Sequence, residues 1–317
     1  MMTSLMKASA PPPSRTQDST SRSSIPRQAP RRHSWKFALY LLPAVAFYLF
    51  VVIVPSGRGL MYAFTDWDGL SPTFSFVGFD QFAAIFQDAA ASGAIWHTVI
   101  IAVGITILQN AIGLLLALGV SSRIKSRNFL RVLFFAPAVV APVATAYLWR
   151  YMLSPTGPVN SVLDAVGLGA LGQDWLGDPS IVLGSIIAFV VWQFAGYSMV
   201  IFLAGLEGIP EELKEAAELD GAGAVRKFWS VIRPLLAPAI TVNLMLSLIG
   251  GLKVFDQVYI LTGGGPANTS QTISTLIYKN AFELNNFAYS IAMAVLLAVF
   301  VAVISGFQYF GLSKQGD

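Results

Sequence analysis

Residues 215–238 read EAAELDGAGAVRKFWSVIRPLLAP, a charged stretch between two apolar segments of an otherwise hydrophobic chain. Just before it, Ile209-Pro210-Glu211-Glu212 predicts the start of a helix, because proline suits the first helical position and the two glutamates face the positive end of the helix dipole. Gly221 is expected to end this helix, since glycine tolerates the positive φ of a C-terminal cap. Residues 224–232 are expected to form a second short helix that Pro234 ends. The stretch therefore predicts a helical loop between two spans.

The rest of the chain has the composition of an integral membrane protein. Of its 317 residues, 55% are hydrophobic and only 12% are charged, whereas about a quarter of the residues of a soluble domain are charged. Six apolar blocks are close to the roughly 20 residues that a helix needs to cross a bilayer: 37–54, 98–120, 132–152, 181–203, 235–260 and 289–310. The fifth is interrupted by Gly250-Gly251 and Lys253. Because a spanning segment must satisfy its own backbone hydrogen bonds, we expect an all-α integral membrane protein with about six transmembrane helices.

Lysine and arginine are distributed unevenly between the loops. They are concentrated in the leader and in the loops at 121–131 and 204–234, namely Lys7, Arg15, Arg22, Arg27, Arg31, Arg32, Lys36, Arg123, Lys125, Arg127, Arg131, Lys214, Arg226, Lys227 and Arg233. In contrast, residues 55–96 contain only Arg58, and residues 153–180 contain no basic residue. The positive-inside rule therefore predicts a multi-pass protein of the cell (inner) membrane, with both termini and the loop at 204–234 in the cytoplasm.

The chain has two predicted regions. Residues 1–34 are rich in serine, proline and arginine and are expected to be a disordered, basic cytoplasmic tail. Residues 35–317 are expected to form the transmembrane domain, with the charged loop at about 207–234. Cysteine is absent, which excludes disulfides and thiolate metal sites.

The first predicted helix of the loop has features of a docking element. Leu213, Ala216, Ala217 and Leu219 can form an apolar side of mostly small residues, opposite a charged side. The alternative is an amphipathic helix that lies on the bilayer, but such helices usually carry lysine and arginine and large apolar anchors. An acidic helix with small residues fits a protein groove better than an anionic lipid surface. The loop therefore predicts contact with a soluble partner.

This loop resembles the EAA loop of the permease subunits of binding-protein-dependent ABC importers. Glu215-Ala216-Ala217, Gly221 four positions later and Pro234 at the exit carry the resemblance. Further similar segments are FVGFDQF at 76–82, LFFAPAVVAPVATAYLWRYM at 133–152, WQFAGYSMVIFLAGLEGIPEELKEAAELDGA at 192–222 and KVFDQVYILTGGGP at 253–266. The last two are similar to the maltose, lactose, glycerol-phosphate and multiple-sugar branch. The usual I-x-L-P at the loop's end appears as Val231-Ile232-Arg233-Pro234, so the family's detailed docking contacts transfer less directly.

The resemblance implies the type I ABC importer (MetI-like) permease fold, with the first loop helix as a cytoplasmic coupling helix. The coupling residues that it implies are Glu211, Glu212, Glu215, Ala216, Ala217, Glu218, Asp220 and Gly221. It also implies three kinds of partner: a second homologous permease subunit, a cytoplasmic ABC ATPase dimer and an extracytoplasmic sugar-binding (lipo)protein. The chain has no G-x-x-x-x-G-K-[ST] phosphate loop, so it is not expected to be the ATPase. ATP and Mg²⁺ would be bound by the partner, and no cofactor by this chain.

Polar residues within spans are costly and point to function. The fourth and fifth spans contain several such polar residues, and the resemblance implies that these two spans hold the sugar, as they do in maltose-type relatives. The predicted substrate pathway is formed by Gln193, Phe194, Tyr197, Asn243, Ser247, Gly250, Gly251 and Val254. Gln193 and Tyr197 are one helical turn apart and are expected to share one face. The alternative, that the polar residues and glycines only pack helix against helix, stays open for each residue.

Several other features have structural interpretations. Lys253 and Asp256 are expected to pair with each other, and Gly263-Gly264-Gly265-Pro266 is expected to form a turn rather than a phosphate cradle. A membrane-embedded enzyme would need clustered carboxylates or histidines, which the sequence does not suggest. An ion-coupled secondary carrier would show inverted repeats, and none is detected.

Within the ABC importer interpretation, the predicted substrate is a mono- or oligosaccharide that a binding protein delivers for transport by alternating access. A phosphorylated polyol such as glycerol phosphate is the alternative substrate. It would require several cationic contacts near the pathway.

Overall fold

The computed structural model describes residues 36–122 and 125–313. Within these ranges the protein consists of helices and loops, and the only strand pairing is an isolated bridge between Thr65 and Phe76. The prediction of an all-α protein is confirmed. The predicted disordered tail at 1–34 lies outside the described residues, as does Arg123.

Fourteen α-helices follow one another in the described ranges. They are α1 (Lys36–Tyr48), α2 (Val54–Tyr62), α3 (Asp80–Gln87), α4 (Ala89–Ser121), α5 (Arg127–Val139), α6 (Pro142–Met152), α7 (Pro158–Ala165), α8 (Val182–Glu207), α9 (Glu211–Leu219), α10 (Ala224–Lys227), α11 (Arg233–Leu252), α12 (Asp256–Thr262), α13 (Ile273–Tyr278) and α14 (Phe287–Ser313). π-helical turns at Leu49–Ile53, Phe228–Ile232 and Lys279–Glu283 join neighbouring helices. The chain divides into two compact units, one ending at Val54 and the other beginning at Pro55. The candidate functional site described below lies in the second.

The number of apolar spans agrees with the prediction. Five helical segments of the described chain are long and apolar enough to cross a membrane: Tyr40–Tyr62, Ala89–Ser121, Val182–Glu207, Ala224–Leu252 and Phe287–Phe310. A sixth span results if α5 and α6, which are bent by 95° relative to each other, are taken as one broken span. The prediction of about six transmembrane helices is therefore confirmed.

The predicted third span, 132–152, is not one continuous helix. Val140 and Ala141 have extended backbone angles between α5 and α6. Pro142 opens α6, and a proline disfavours the helical conformation of the residue before it, here Ala141. Pro142 therefore accounts for the bend, which the apolar block at 132–152 did not by itself indicate.

The predicted fifth span, 235–260, was wrong at both ends. The helix begins earlier, at Ala224, and Pro234 lies inside the continuous segment instead of ending a separate helix. The π-turn at Phe228–Ile232 makes this possible: the Arg233 N–H bonds to the Phe228 carbonyl, one residue farther back than in an α-helix. At its other end the helix stops at Leu252, and α12 begins separately at Asp256.

The core of the second unit is built around α8. Its side chains Ile186, Phe189, Met199 and Phe202 are almost completely buried, and α8 packs against α4, α5 and α11. Glycine permits two of these contacts. A Cβ at Gly196 would overlap the Phe134 carbonyl of α5, and a Cβ at Gly113 of α4 would meet Ser198 at 2.6 Å. Small residues thus bring the helix backbones together, as is usual between transmembrane helices.

Candidate functional site

The loop helix α9 ends in a complete Schellman motif. The Ala222 N–H donates to the Ala217 carbonyl at 2.9 Å, and the Gly221 N–H donates to the Glu218 carbonyl at 3.0 Å. Gly221 has a φ of +75°, which is the left-handed conformation that this motif requires. The prediction that Gly221 caps the helix is confirmed. At the start of α9, Pro210 is the N-cap and Glu211 the first helical residue, a one-residue shift from the prediction.

Most of α9 is exposed in the isolated chain. Of the predicted coupling residues, Glu211, Glu212, Glu215, Ala216, Glu218, Asp220 and Gly221 are exposed, and Ala217 is buried. The predicted apolar side is not buried as a unit, because Leu213 is 44% and Leu219 is 90% exposed. The helix is therefore attached to the rest of the protein mainly through Ala217 and presents both charged and apolar groups outward.

Ion pairs connect α9 and its surroundings. Lys227 of α10 pairs with Glu218, and Lys214 pairs with Glu211 at 2.9 Å. Arg131 of α5 pairs at 2.8 Å with Glu207, the last residue of α8. Each exposed pair contributes at most about 1 kcal/mol. The Glu218–Lys227 pair nevertheless joins two consecutive helices and, with the Schellman motif, fixes the path of the chain between them.

A charged groove of about 710 Å³ lies beside the start of α9. The ends of α4 and α8 line it together with residues of α5, α9 and α10. The C-terminal ends of α4 and α8 and the start of α9 are therefore at the same end of the helical bundle.

A second cavity, of about 490 Å³, lies between α4, α8 and α11, and the start of α12 also lines it. Six of the predicted pathway residues line it: Phe194, Tyr197, Ser247, Gly250, Gly251 and Val254. Residues that the sequence prediction did not include also line it, among them Gln109, Phe255 and Gln257. The cavity thus combines aromatic rings with amide and hydroxyl groups, a lining that suits a ligand with both C–H faces and hydroxyl edges.

Gln193 does not line this cavity. It is fully buried and uses its amide to connect helices: its Nε2 donates to the Thr145 Oγ1 of α6 at 2.8 Å, and its Oε1 accepts from the Gln257 Nε2 at 3.3 Å. Tyr197, one turn later, is 42% exposed and faces the cavity. Gln193 and Tyr197 are one turn apart on the continuous helix α8, as expected, but only Tyr197 reaches the cavity, because Gln193 is held by buried partners on α6 and α12.

A network of buried polar side chains joins α4, α8 and α11. Gln109 Nε2 donates to Ser198 Oγ at 2.8 Å, and Ser198 Oγ donates to Asn243 Oδ1 at 3.0 Å. Next to Gln109, Asn110 Nδ2 donates to Ser247 Oγ at 2.7 Å. Asn243 is completely buried in this network and does not line the cavity. Two consecutive amides inside a long apolar helix were the sequence signal for such a network, since buried amides need hydrogen-bond partners.

The end of the fifth span differs in part from the predictions. Lys253 and Asp256 both line the cavity, but neither takes part in an ion pair within 4.0 Å, so the expected pair does not form. The turn after α12 is confirmed: Gly263 caps the helix with a φ of +62°, and Gly264 has a φ of +90°. Among the described residues, no group of three or more histidine, aspartate or glutamate side chains is arranged to hold a metal ion.

Residues 109–310 match the family described as "Binding-protein-dependent transport system inner membrane component". The chain belongs to this family. Among its relatives is the multiple sugar-binding transport system permease protein MsmF of Streptococcus mutans, 31% identical over 281 residues that cover 89% of this chain and 96% of MsmF. The permease protein AmyD of Thermoanaerobacterium thermosulfurigenes, named for a probable transport system for starch degradation products, is 35% identical over 277 residues, covering 87% of this chain and 94% of AmyD.

A solved structure supports the same assignment of this permease. A bacterial ABC transporter involved in the import of the acidic polysaccharide alginate contains a chain that superposes on this one with a TM-score of 0.78 and 26% sequence identity. The superposition covers 88% of this chain and 96% of that one. The predicted MetI-like permease fold and the resemblance to sugar importers are thus confirmed. The protein is a transmembrane permease subunit of an ABC importer for carbohydrate.

Proposed function

We propose that this permease forms half of a sugar pathway and that α9 is seated in a cytoplasmic ATPase dimer, which drives the pathway. The observation that carries the proposal is the geometry of α8 and α11. Each has one end joined to the α9 loop, and each contributes residues to the 490 Å³ cavity. A displacement of α9 would therefore move both helices that line the cavity.

The proposed mechanism is alternating access. ATP binding closes the ATPase dimer and moves α9 as a rigid body, which the Schellman motif and the Glu218–Lys227 pair make possible. Helices α8 and α11 then turn the cavity toward the outside, where a sugar-binding protein releases its ligand. Hydrolysis on the partner resets the inward-facing state. ATP and Mg²⁺ belong to that partner, and a second homologous permease subunit supplies the other half of the pathway.

The proposed orientation places α9 and both termini in the cytoplasm. The basic residues Arg127, Arg131, Lys214 and Lys227 all lie around the groove next to α9, as the positive-inside rule requires of a cytoplasmic surface. In contrast, the segment 55–96 carries one basic residue, Arg58, and four aspartates.

The lining of the cavity favours a neutral saccharide. Lys253 is the one cation among the lining residues, and Asp256 lines the same cavity. A phosphorylated polyol would need more than one cationic contact, because its charge must be compensated where water is excluded. Phe194 and Tyr197 provide faces for sugar C–H groups, and Ser247 provides a hydroxyl.

The coupling part of this proposal is tested by charge reversal on α9. In the complete complex in proteoliposomes, Glu215→Lys should reduce sugar uptake and weaken ATPase association at least tenfold, since a basic side chain replaces an exposed acidic one. Asp164→Lys, a charge reversal at an exposed position of α7, is the matched control and should behave as wild type. Normal uptake by Glu215→Lys, or uptake driven by an ion gradient without ATP, would refute the coupling role.

The pathway part is tested at the cavity. Tyr197→Ala should raise KM for sugar uptake while the complex still assembles and hydrolyses ATP at its basal rate. Tyr151→Ala removes a tyrosine of α6 that is 65% exposed and does not line the cavity, and it should leave KM unchanged. Equal KM values for the two variants would remove Tyr197 from the pathway.

A further inference from the structure

Eight aromatic rings form a continuous chain that starts in the cavity. Phe255 lines the cavity and stacks on Tyr259 with ring centroids 5.3 Å apart and an interplanar angle of 15°. The chain then proceeds from ring to ring with centroid distances between 4.3 and 6.2 Å, in the order Tyr259, Tyr278, Phe282, Phe287, Trp67, Tyr62 and Phe74. These separations are close to the roughly 4.5–7 Å of interacting aromatic pairs. We call these eight residues the aromatic ladder.

The ladder is not part of the buried core. None of its eight residues is buried; Phe282 is 66% and Phe74 is 43% exposed. Phe189 and Phe202, in contrast, fill the core of the second unit with 1% exposure each. Six of the eight rings are half-buried and two are exposed, so each keeps part of its surface accessible, and complete burial, the usual reason for a large apolar side chain, applies to none of them.

The far end of the ladder is held in place by a well-bonded loop. Asp68 accepts hydrogen bonds from the Leu70 and Ser71 N–H groups and from the Ser71 hydroxyl, and these bonds lower the pKa of its carboxyl to about 2. The Trp67 indole donates to the Ser71 carbonyl at 3.0 Å. The Ala288 N–H donates to the Trp67 carbonyl at 3.1 Å, which attaches this loop to α14. Trp67 is therefore positioned by hydrogen bonds of both its backbone and its indole, and the loop that carries it is held without help from the rings of Tyr62 and Phe74.

We propose that the aromatic ladder is a stacking track along which a saccharide chain reaches the cavity, and that the substrate is consequently an oligosaccharide. A sugar ring presents C–H groups on its faces and hydroxyls at its edges, so it can stack on an aromatic face while its hydroxyls stay hydrated. Eight rings in sequence are more than one sugar can contact at a time, but a chain of sugars can contact several at once. The inference rests on the proposed function, because it assumes that sugar enters the 490 Å³ cavity.

The rings could also serve to anchor the protein at a membrane interface, where tryptophan and tyrosine are common. A substitution at Phe282 separates the two roles. Phe282→Leu retains a large apolar side chain but removes the aromatic face, and Phe282→Trp retains an aromatic ring. A track requires the leucine variant to raise KM for the sugar with kcat unchanged, whereas loss of an anchor would lower the amount of complex in the membrane and leave KM unchanged.

The experiment measures uptake by the complete complex in proteoliposomes, with glucose, xylose, chitopentaose, maltoheptaose and alginate pentasaccharide as probes. We expect transport of at least one of the three oligosaccharides with a KM at least tenfold below that of the two monosaccharides. Phe282→Leu and Phe74→Ala should raise that KM about tenfold, which corresponds to the loss of one stacked ring, with kcat unchanged. Phe282→Trp should match wild type.

Phe86→Ala is the matched control, because Phe86 is 71% exposed on α3 and lies outside the ladder. It should leave all KM values unchanged. Preferred transport of a monosaccharide, or wild-type KM values in Phe282→Leu and Phe74→Ala, would overturn the track while leaving the proposed function intact. Absence of uptake of every probe would overturn both the track and the proposed sugar pathway.

Discussion

Gly221 permits a direct test of whether the rigid capping of α9 transmits force. Its φ of +75° lies in the left-handed region, and a Cβ at this position would meet no atom within 4 Å. Gly221→Ala therefore changes the backbone energy without creating a steric overlap. Gly223, two residues later, also has open space around its Cα but an ordinary φ of −65°. The two glycines form a matched pair that differs in backbone conformation.

The expected magnitude follows from the cost of the left-handed conformation. For alanine it is about 1–2 kcal/mol, and for asparagine it is lower, because a short polar side chain tolerates this region. A change of 1–2 kcal/mol alters a two-state population about 5- to 30-fold. With nine residues, α9 is shorter than the roughly 12 residues that an isolated helix needs. It therefore has little intrinsic stability with which to offset the loss of its cap.

The assay is ATP hydrolysis by the complete complex, with and without the sugar-loaded binding protein. The sugar-loaded binding protein is expected to stimulate ATP hydrolysis. We expect Gly221→Ala to reduce this stimulation about 5- to 30-fold, and Gly221→Asn to reduce it less. Gly223→Ser should resemble wild type, since serine suits the N-cap position of α10 that Gly223 occupies. Equal stimulation in Gly221→Ala and Gly223→Ser would show that the capped conformation is not needed, and the rigid-body mechanism would have to be abandoned.

Three further predictions concern packing, the polar network and pH. Gly196→Ala should destabilise the complex by about 1–3 kcal/mol in thermal unfolding, because its Cβ would overlap the Phe134 backbone. Gly184 lies in the same helix with open space around it, so Gly184→Ala should leave the unfolding temperature unchanged. Equal unfolding temperatures of the two variants would contradict the packing argument. Ser198→Ala should cost about 1 kcal/mol in the same assay, since it leaves Gln109 Nε2 and Asn243 Oδ1 without the Ser198 hydroxyl, while Asn243 Nδ2 keeps its bond to the Ser198 carbonyl. An unchanged unfolding temperature would show that the network contributes no stability. The pKa of Asp68 is lowered from 3.8 to about 2, so its stabilisation of the loop should be fully present above pH 4 and be lost as the pH falls toward 2. Proteolysis of the loop with an acid-active protease should follow this pH dependence, and Asp68→Asn should abolish it.

Local chemistry made much of this fold predictable. The apolar blocks marked the spans because crossing a bilayer requires length and hydrophobicity, and both can be counted in a sequence. Gly221 and Gly263 were expected at a helix end and in a turn, and both have the positive φ values that such positions require. The bend between α5 and α6 was missed even though Pro142 was visible, because a proline fixes where a helix can break and not whether its surroundings will bend it.

The functional site was less predictable, because it depends on which face of a helix meets which neighbour. Polarity drew attention to both Gln193 and Tyr197, yet only the tyrosine faces the cavity. The direction of Gln193 is determined by Thr145 and Gln257, which are 48 and 64 residues away in sequence. Helical periodicity places residues on a face but does not say what that face contacts. Partners at such distances become apparent only from the packed structure.

Under the proposed function, the same packing offers a way in which a sugar in the cavity and helix α9 would influence each other. Gln109 lines the cavity, and its amide N–H is donated to Ser198, which in turn bonds Asn243. A sugar hydroxyl that bonded this amide would compete with Ser198, the group through which α4 is hydrogen-bonded to α8. A ligand can shift a conformational equilibrium only through contacts that differ between the two states. The Gln109 amide, shared between Ser198 and a sugar hydroxyl, would provide such a difference. A purely apolar lining would offer no hydrogen bond that sugar binding could replace.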